Sequence, residues 1–369
     1  MKLNKKMIIM MASVLGVIIV LIIILMLFAG GGSKKLSYSE LEEKIVSAGQ
    51  DYFAANPDKL PKSGTDEVDV STLVSAGYMN ELSKYTDKGV SCSGKLYVTK
   101  TPDDYSYHAK VDCGTNYSTS FMADKIKENI VTSGNGLYES EQVDPNNSEQ
   151  TIKVYTFKGD NVNNYIKVGD YLWQVVKIFE DGRMQVLGST ELARSTWDDR
   201  YNVETDHYYG INDYKVSRVK EFILSDVVNN KESFLKIKSL ITTHTACVAN
   251  RSLDDTSRDG STECTEVLEE QYFSLLPVYD FMNASLDSNC KKALDDSCFN
   301  YNYLAYDYSV DWWTSTGVLG DSEQVYYVHD KLDSGYAYSN KALRLLAYMD
   351  SKVSYVSGTG SEIDPYIVK

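Results

Sequence analysis

The stretch YIKVGDYLWQVVKIFEDGRMQVLGS, residues 165–189, decides the fold of the larger part of this chain. It holds three runs rich in β-branched and aromatic residues, a composition that is typical of β-strands. The residues Glu180-Asp181-Gly182-Arg183 separate the last two runs, and Asp-Gly accepts the positive φ of a tight hairpin turn. The stretch therefore predicts an antiparallel sheet.

Strand-like runs recur at the carboxyl end of the chain, and TIKVYTF (151–157) precedes the central stretch. The later runs are YSVDWWTSTG (308–317), QVYYVHD (324–330), ALRLLAYM (342–349) and DPYIVK (364–369). Apolar residues fall at helical spacing over 214–242, and we expect another short helix over 275–287. Strands at both ends with helices between them predict an α+β fold whose terminal strands meet in one sheet.

The charge of the chain is strongly unequal between its two ends. The 369 residues carry a net charge of −15, but residues 1–35 contain five lysines and no acidic residue. The rest of the chain is therefore more acidic than the whole, and it repels phosphate backbones. We exclude nucleic acid as a partner on this ground.

An uncharged apolar run at 7–29 is long enough to cross a bilayer as one helix. Lys2, Lys5 and Lys6 precede it, so the amino terminus is expected in the cytoplasm and the body outside the cell. We therefore predict a single-pass cell-membrane protein with a stub and anchor at 1–35. The alternative is a cleaved signal peptide ending near Ala29, although signal-peptide apolar regions are usually shorter.

The next unit, 36–118, is predicted to be a small α+β head. A helix is expected over 37–57, capped by Ser37 or Ser39, and a second short one over 71–79, beginning at Asp69 or Ser71. The runs KLYVTK (95–100) and YSYHAKVD (105–112) flank a turn and predict a hairpin. Residues 119–150 are polar and are expected to be a linker, followed by the larger domain at 151–369.

Six cysteines lie outside the apolar run, which indicates disulfides in an exported region, although fifteen pairings are formally open. The hairpin places Cys92 opposite Cys113. Nearest-neighbour pairing then joins Cys247 to Cys264 and Cys290 to Cys298. The spacing of the cysteines does not match a zinc site.

Two parts of the chain resemble known families. The head resembles the globular part of type IV pilin-like proteins, in its outward-continuing helix and its disulfide-closed hairpin, but it lacks their Gly-Phe processing site and the Glu of their apolar segment. The segments SGNGLYES, NNYIKVGDYLWQVVKIFEDGRMQVL, LLPVYDFMNAS, FNYNYLA, VDWWTST and SGTGSEIDPYIV resemble uncharacterised membrane-anchored surface proteins of Gram-positive bacteria. This second resemblance implies a domain related in shape to C-type-lectin-like and formylglycine-generating-enzyme-like folds. It implies no activity.

One loop has the spacing of a helix-loop-helix calcium site. Asp255, Ser257, Asp259 and Glu266 occupy its first, third, fifth and twelfth positions, with a glycine at the sixth. Arg258 brings a positive charge into the same loop. The alternative is a polar loop closed by the disulfide between Cys247 and Cys264, so calcium is a weak cofactor candidate and we expect no other cofactor.

Aromatic residues supply the candidate ligand contacts. The chain has 29 Tyr and four Trp, and Trp312 and Trp313 are adjacent, with Tyr301, Tyr303 and Tyr306 nearby. Neighbouring residues of a strand point to opposite faces, so we predict that one Trp faces the core and the other a surface that binds sugar or protein. The alternative is that all of them fill the core, as we expect for Trp173 and Trp197.

No catalytic signature is present in the sequence. The four histidines do not fall at metal-binding spacing, and no GxSxG nucleophile elbow occurs. The repeated motifs SGNG (133–136) and SGTG (357–360) are interpreted as turns, because neither matches a phosphate-binding loop. We therefore expect a non-catalytic cell-surface protein that binds a ligand or mediates adhesion. The alternatives are a structural component of a pilus-like or secretion assembly and, as a third hypothesis, an enzyme acting on cell-wall polymers.

Overall fold

The computed structural model describes residues 35–101, 104–225, 236–305, 310–329 and 331–369. The predicted membrane helix at 7–29 lies outside these ranges. None of the helices within them combines the length and the apolar composition that a bilayer crossing requires. The described chain is a mixed α+β structure dominated by strands, as the sequence predicts.

A helix packed on a three-stranded sheet forms the head. Its elements are α1 (Tyr38–Ala55), α2 (Val70–Ser75), β1 (Thr65–Asp69), β2 (Ser93–Lys100) and β3 (Tyr105–Asp112). Helix α1 begins at the predicted Ser37, whose hydroxyl accepts a hydrogen bond from the Glu40 N–H, while the Glu40 carboxylate accepts one from the Ser37 N–H at 2.7 Å. The helix lies close to the sheet at Gly49, because an added Cβ there would come within 2.1 Å of Leu96 Cδ2.

The predicted hairpin and its disulfide are confirmed. Strands β2 and β3 pair from Ser93 opposite Asp112 to Lys100 opposite Tyr105, and Cys92 is bonded to Cys113 just beyond that register. The other two predicted bridges, Cys247–Cys264 and Cys290–Cys298, are also present.

We expect the variant with both Cys92 and Cys113 changed to alanine to lose about 2–4 kcal/mol of head stability, because the bridge restricts the unfolded chain. Hydrogen exchange of the β2 and β3 amides measures this loss as faster exchange. The matched control is the double alanine variant of Cys290 and Cys298, which removes a bridge from the body and should leave those amides protected. Equal protection of the hairpin in wild type and in the head variant would contradict the prediction.

The body consists of strands from 136 to the carboxyl end with three short α-helices among the described residues. The helices are α3 (Met122–Lys127), α4 (Arg218–Leu224) and α5 (Val278–Asn283). The strands are β4 (Gly136–Asp144), β5 (Asn147–Lys158), β6 (Tyr165–Val168), β7 (Tyr171–Phe179), β8 (Met184–Gly188), β9 (Ala193–Thr196), β10 (Ile241–Thr242), β11 (His244–Cys247), β12 (Val267–Gln271), β13 (Trp312–Gly317), β14 (Gln324–Val328), β15 (Leu332–Tyr336), β16 (Asn340–Leu343), β17 (Leu346–Met349), β18 (Tyr355–Ser357) and β19 (Tyr366–Val368).

The central stretch forms the middle of a nine-stranded sheet in the order β10-β17-β8-β7-β6-β19-β18, with β5 also paired to β7 and β4 to β5. Gly182 has φ +88° at the turn between β7 and β8, as the Asp-Gly pair predicts. The final strand β19 pairs in parallel with β6, with Tyr366 opposite Ile166. The prediction that strands from both ends of the body meet in one sheet is therefore confirmed.

A second, five-stranded sheet has the order β15-β14-β13-β16-β9. Residues of both sheets share one large hydrophobic core, in which Trp173 and Trp197 are fully buried, as predicted. The predicted helix over 275–287 is α5. Of the helix predicted over 214–242, the described residues form a short 3-10 turn at Tyr214–Val216, helix α4 and a second 3-10 turn at Ile237–Leu240, and residues 226–235 lie outside the described chain.

Residues 119–150 are not the linker that their polar composition predicts. They contain helix α3, strand β4 and the start of β5. The hairpin formed by β4 and β5 exposes many of its polar side chains, while Leu137, Gln142 and Val143 are buried. The polar composition of this segment therefore hides the alternation of buried and exposed residues that is typical of a strand. The body begins at about residue 121.

The head contacts the body near the end of β17. The ammonium of Lys352 lies 5.0 Å from the centre of the Tyr97 ring, and Lys369 Nζ forms an ion pair with Glu42 at 2.7 Å. The Tyr97 ring also lies 5.7 Å from the ring of Phe121, at the start of the body. These contacts join the head to the nine-stranded sheet side of the body.

Candidate functional site

The predicted pair Trp312 and Trp313 does not supply an exposed ring. Both are buried, because strand β13 lies in the middle of its sheet and both of its faces are covered. Trp312 packs against Phe281, and the Trp313 indole N–H donates to the Ser195 carbonyl at 3.1 Å. The prediction that one Trp faces a surface is therefore wrong.

The neighbouring tyrosines do not form a contact surface with them. Tyr303 is buried, whereas Tyr301 is 59% exposed. Tyr306 lies outside the described residues. Of the predicted ligand contacts that the structure describes, only Tyr301 is therefore open to solvent.

The predicted calcium loop is organised around a guanidinium group instead. Arg251, which is fully buried, donates to the backbone carbonyl of Asp255 at 3.2 Å and to that of Ser257. The Asp255 carboxylate accepts the Ser257 N–H at 2.7 Å, and Glu266 pairs with Lys215. Asp259 accepts the Ser261 N–H at 3.0 Å.

Asp255 and Ser257 are therefore bonded to each other and both contact Thr262, whereas Asp259 and Glu266 have other partners. No group of three or more His, Cys, Asp or Glu side chains is placed to hold a metal ion within the described ranges. The Cys247–Cys264 bridge closes this polar loop, and the buried guanidinium of Arg251 contacts its backbone carbonyls.

A group of exposed and half-buried tyrosine rings lies on the surface of the body. We call it the tyrosine surface, and its members are Tyr201, Tyr208, Tyr209, Tyr336 and Tyr338. The ring of Tyr209 lies 4.9 Å from that of Tyr336 and 5.0 Å from that of Tyr338, and Tyr201 lies 5.1 Å from Tyr208. Tyr208 is 72% exposed.

Buried amide side chains fix the loop that carries three of these rings. The amide of Asn212 donates to the carbonyls of Val318, Asp321 and Gln324 at 2.6–2.9 Å, and the amide of Asn202 donates to the Ser322 hydroxyl at 2.9 Å. A backbone hydrogen bond from the Tyr338 N–H to the Tyr209 carbonyl, at 3.2 Å, joins the two loops. The rings are therefore held in place before any partner binds, which lowers the entropic cost of binding.

The loop also depends on one glycine. Gly210 has φ +87°, and an added Cβ would lie 2.2 Å from the Asp198 carbonyl oxygen. A side chain at this position would strain the backbone and displace the loop. The position of Tyr209 beside it is thus set by the backbone as well as by packing.

Carboxylates surround the tyrosine surface. The Tyr201 hydroxyl donates to Asp206, and this hydrogen bond raises the pKa of Tyr201. The His207 Nδ1 lies 3.6 Å from Glu323, and Glu204 is exposed. The nearby guanidinium of Arg200 is held by Asp198. The surface therefore presents aromatic faces with negative charge at the rim.

A cleft of about 540 Å³ brings the two repeated glycine motifs together. SGNG and SGTG contribute Asn135 and Thr359 to its lining, and Tyr355 and Tyr366 form one wall. Gly134, Gly358 and Gly360 have positive φ, as the turn interpretation predicts. Its lining cation, Lys125, is paired with Glu128 at 2.6 Å, so the cleft does not have the character of a phosphate site.

The sequence contains a signal for the tyrosine surface that the prediction missed. Tyr208 and Tyr209 precede a glycine, and Tyr336 and Tyr338 follow one, so these tyrosines stand beside turn-forming residues, and in the structure Tyr336 is the last residue of β15. Tyrosines in such segments are more often exposed than those of apolar runs such as WWTSTG. The segments around Tyr209 and Tyr338 are far apart in the sequence, so the sequence alone does not predict that they meet.

Comparison with protein-family models, with curated proteins and with solved structures found no match to this chain.

Proposed function

We propose that this chain is a non-catalytic, membrane-anchored cell-surface protein that binds a partner through its tyrosine surface. The observation that carries the proposal is a group of five tyrosines on two joined loops, of which four are exposed and Tyr209 is half-buried. Amphipathic rings of this kind bury a large area at low entropic cost, and contiguous exposed apolar surface is typical of interaction sites. The resemblances of the head to pilins and of the body to C-type-lectin-like domains agree with this role.

The partner is a protein segment with exposed arginine or lysine side chains. Tyrosine faces attract cations, and the rim carboxylates of Glu204 and Asp206 add to that attraction. The acidic body disfavours anionic polymers such as nucleic acid. A neutral carbohydrate would contact the rings but would not need the carboxylates. Comparing a basic peptide with a neutral oligosaccharide therefore separates the two classes of ligand.

The tyrosine surface is free to meet a partner while the head is in place. It lies on the loops of the five-stranded sheet, whereas the head contacts the residues that follow β17 of the nine-stranded sheet. The proposed anchor precedes the head in the sequence, and the body follows the head. The tyrosine surface is therefore on the side of the head that is farther from the anchor along the chain.

Changing both Tyr209 and Tyr338 to alanine should weaken binding of an arginine- and lysine-rich peptide by about tenfold or more, the effect expected of tyrosines at a binding centre. The measurement is binding of the labelled peptide to the full chain in detergent micelles, with a neutral oligosaccharide as the second probe. Tyr301→Ala, which removes an exposed tyrosine elsewhere, is the matched control and should leave binding unchanged.

Salt dependence completes this test. Binding of the basic peptide should weaken as salt rises, because exposed charges are screened. Oligosaccharide binding that the double variant abolishes, without peptide binding, would replace the basic partner with a carbohydrate. Equal binding of the peptide by wild type and by the double variant would reject the tyrosine surface as the site.

The alternative function is a structural component of a pilus-like or secretion assembly, in which the head makes the contacts. Crosslinking of the full chain in cells separates the two functions. Crosslinks that map to 36–118 favour assembly by the head, and crosslinks that map to the tyrosine surface favour the binding function.

A further inference from the structure

A lysine and an aspartate meet in the core of the body, outside every site described above. Lys177 lies on the central strand β7 and Asp280 lies in helix α5, and each side chain is 1% exposed. The Lys177 Nζ is in contact with Asp280 Oδ1. The pair joins the nine-stranded sheet to the helix that packs under β13.

The hydrogen-bond partners around this pair match an amide better than an ion pair. Nζ donates to Gln142 Oε1 at 2.6 Å, and Asp280 Oδ2 accepts from Gln185 Nε2 at 2.6 Å. Among the described residues, Asp280 Oδ1 meets no hydrogen-bond donor other than the contacting Lys177 Nζ. A secondary amide needs one acceptor for its N–H and one donor for its carbonyl, whereas an ammonium has three donors and a carboxylate about four acceptor sites.

The surroundings of Lys177 also favour its uncharged form. Burial is the main cause that lowers the pKa of Lys177, while Asp280 and Glu263 oppose it. The Tyr279 ring lies over Nζ, which is 4.6 Å from the ring centre, and an aromatic face attracts the charged amine rather than the neutral one. Glu263 is itself held by Arg251 at 3.1 Å, so Asp280 is the carboxyl group that contacts Lys177.

We propose that Lys177 and Asp280 are joined by an amide bond between Nζ and Cγ, which makes this pair a self-modification site. A buried ion pair carries a desolvation cost for each ion, and a neutral amide removes both charges. The fixed contact of the two groups supplies the high effective concentration that such a condensation needs.

The chemical step balances without a co-reactant. The ammonium transfers one proton to the carboxylate, which gives a neutral amine and a carboxylic acid. The Nζ lone pair then attacks Cγ, the bond from Cγ to Oδ1 breaks, and one water leaves with Oδ1, taking one amine proton and the acid proton. The N–H that remains on Nζ continues to donate to Gln142 Oε1, and the carbonyl oxygen Oδ2 continues to accept from Gln185 Nε2.

The mass of the full chain tests the proposal directly. After disulfide reduction and denaturation, the intact protein should be lighter than its linear sequence by one water molecule. Proteolysis should give a branched peptide in which the segment containing residue 177 is joined to the segment containing residue 280. This branched peptide distinguishes the cross-link from dehydration within a single segment.

Variants identify the two reacting atoms. Lys177→Arg should have the linear mass, because a guanidinium does not attack the carboxyl group. Asp280→Asn should release ammonia instead of water and give the same branched product as wild type. Lys341→Arg is the matched control, since Lys341 pairs with Asp311 at 3.1 Å elsewhere in the body, and it should keep the cross-link.

The wild-type protein alone decides the outcome even if a variant fails to fold. A wild-type chain that is mainly of linear mass, with the two segments recovered separately, overturns the proposal. A wild-type chain that is mainly lighter by one water and yields the branched peptide supports it.

Discussion

Replacing Arg251 with methionine is expected to lower the free energy of unfolding of the body by about 3–5 kcal/mol, the cost of leaving one partner of a buried ion pair alone. Arg251 and Glu263 are both fully buried and lie 3.1 Å apart. Without the guanidinium, the Glu263 carboxylate would keep only the Tyr279 N–H, at 3.1 Å, among its hydrogen-bond donors from other residues. The backbone carbonyls of Asp255 and Ser257 would lose their donor as well.

Denaturant unfolding followed by tryptophan fluorescence measures this effect in the right part of the molecule. The four tryptophans of the chain all lie in the body, so the head does not contribute to the signal. Lys153→Met is the matched control, because Lys153 pairs with Glu139 at 2.9 Å on the exposed face of the β4–β5 hairpin. That exposed pair should be worth less than about 1 kcal/mol.

A second variant separates the ion pair from simple loss of packing. Changing both Arg251 and Glu263 to methionine removes both charges, and replacing a whole buried pair with apolar side chains is often neutral or stabilising. The double variant should therefore be more stable than Arg251→Met alone. If Arg251→Met costs no more than Lys153→Met, the buried pair does not stabilise the body in the way described.

Local patterns predict the parts of this fold that depend on neighbours in sequence. The hairpin that joins Cys92 to Cys113 and the turn at Gly182 follow from a few adjacent residues, because turn chemistry and strand alternation act over short distances. The helix from Tyr38 to Ala55 follows from a capping residue and an apolar face.

The candidate sites depend on contacts between distant segments, which local patterns do not contain. Alternation along WWTSTG correctly places Trp312 and Trp313 on opposite faces, but their burial depends on strands and loops from elsewhere that cover both faces. Tyr209 and Tyr338 meet only because two separate loops are joined by a backbone hydrogen bond. The calcium spacing is present in the sequence, but the spacing does not show that Arg251, upstream of the loop, donates to the backbone carbonyls of Asp255 and Ser257.

The body should also lose stability in mild acid because of one buried histidine. His244 is 3% exposed, its Nε2 lies 2.9 Å from the Ser274 hydroxyl, and its ring stacks on Tyr348 at 4.3 Å. Burial, with a smaller contribution from the charge of Arg183, lowers the pKa of His244 to about 3. The unfolded chain has a histidine pKa of about 6.5, so it binds the proton first as the pH falls.

The stability that His244 contributes is therefore complete above about pH 6.5 and is lost as the pH falls from there toward about 3, at about 1.4 kcal/mol per pH unit. His244→Gln offers an N–H or a carbonyl to Ser274 without a titrating group, so its stability should depend less on pH. The measurement is tryptophan-monitored unfolding of both proteins from about pH 8 to about pH 5, across the histidine titration range.

Taking the difference between the two proteins removes the titration of the many carboxylates, since both chains share them. Wild type should lose its advantage over His244→Gln steadily below about pH 6.5, where the unfolded chain begins to bind the proton. His207→Gln serves as the control for the exchange of a histidine for a glutamine, because His207 is more than half exposed and its replacement leaves the His244 site intact. A stability difference between wild type and His244→Gln that stays constant over the whole range would show that His244 is not held neutral in the folded body.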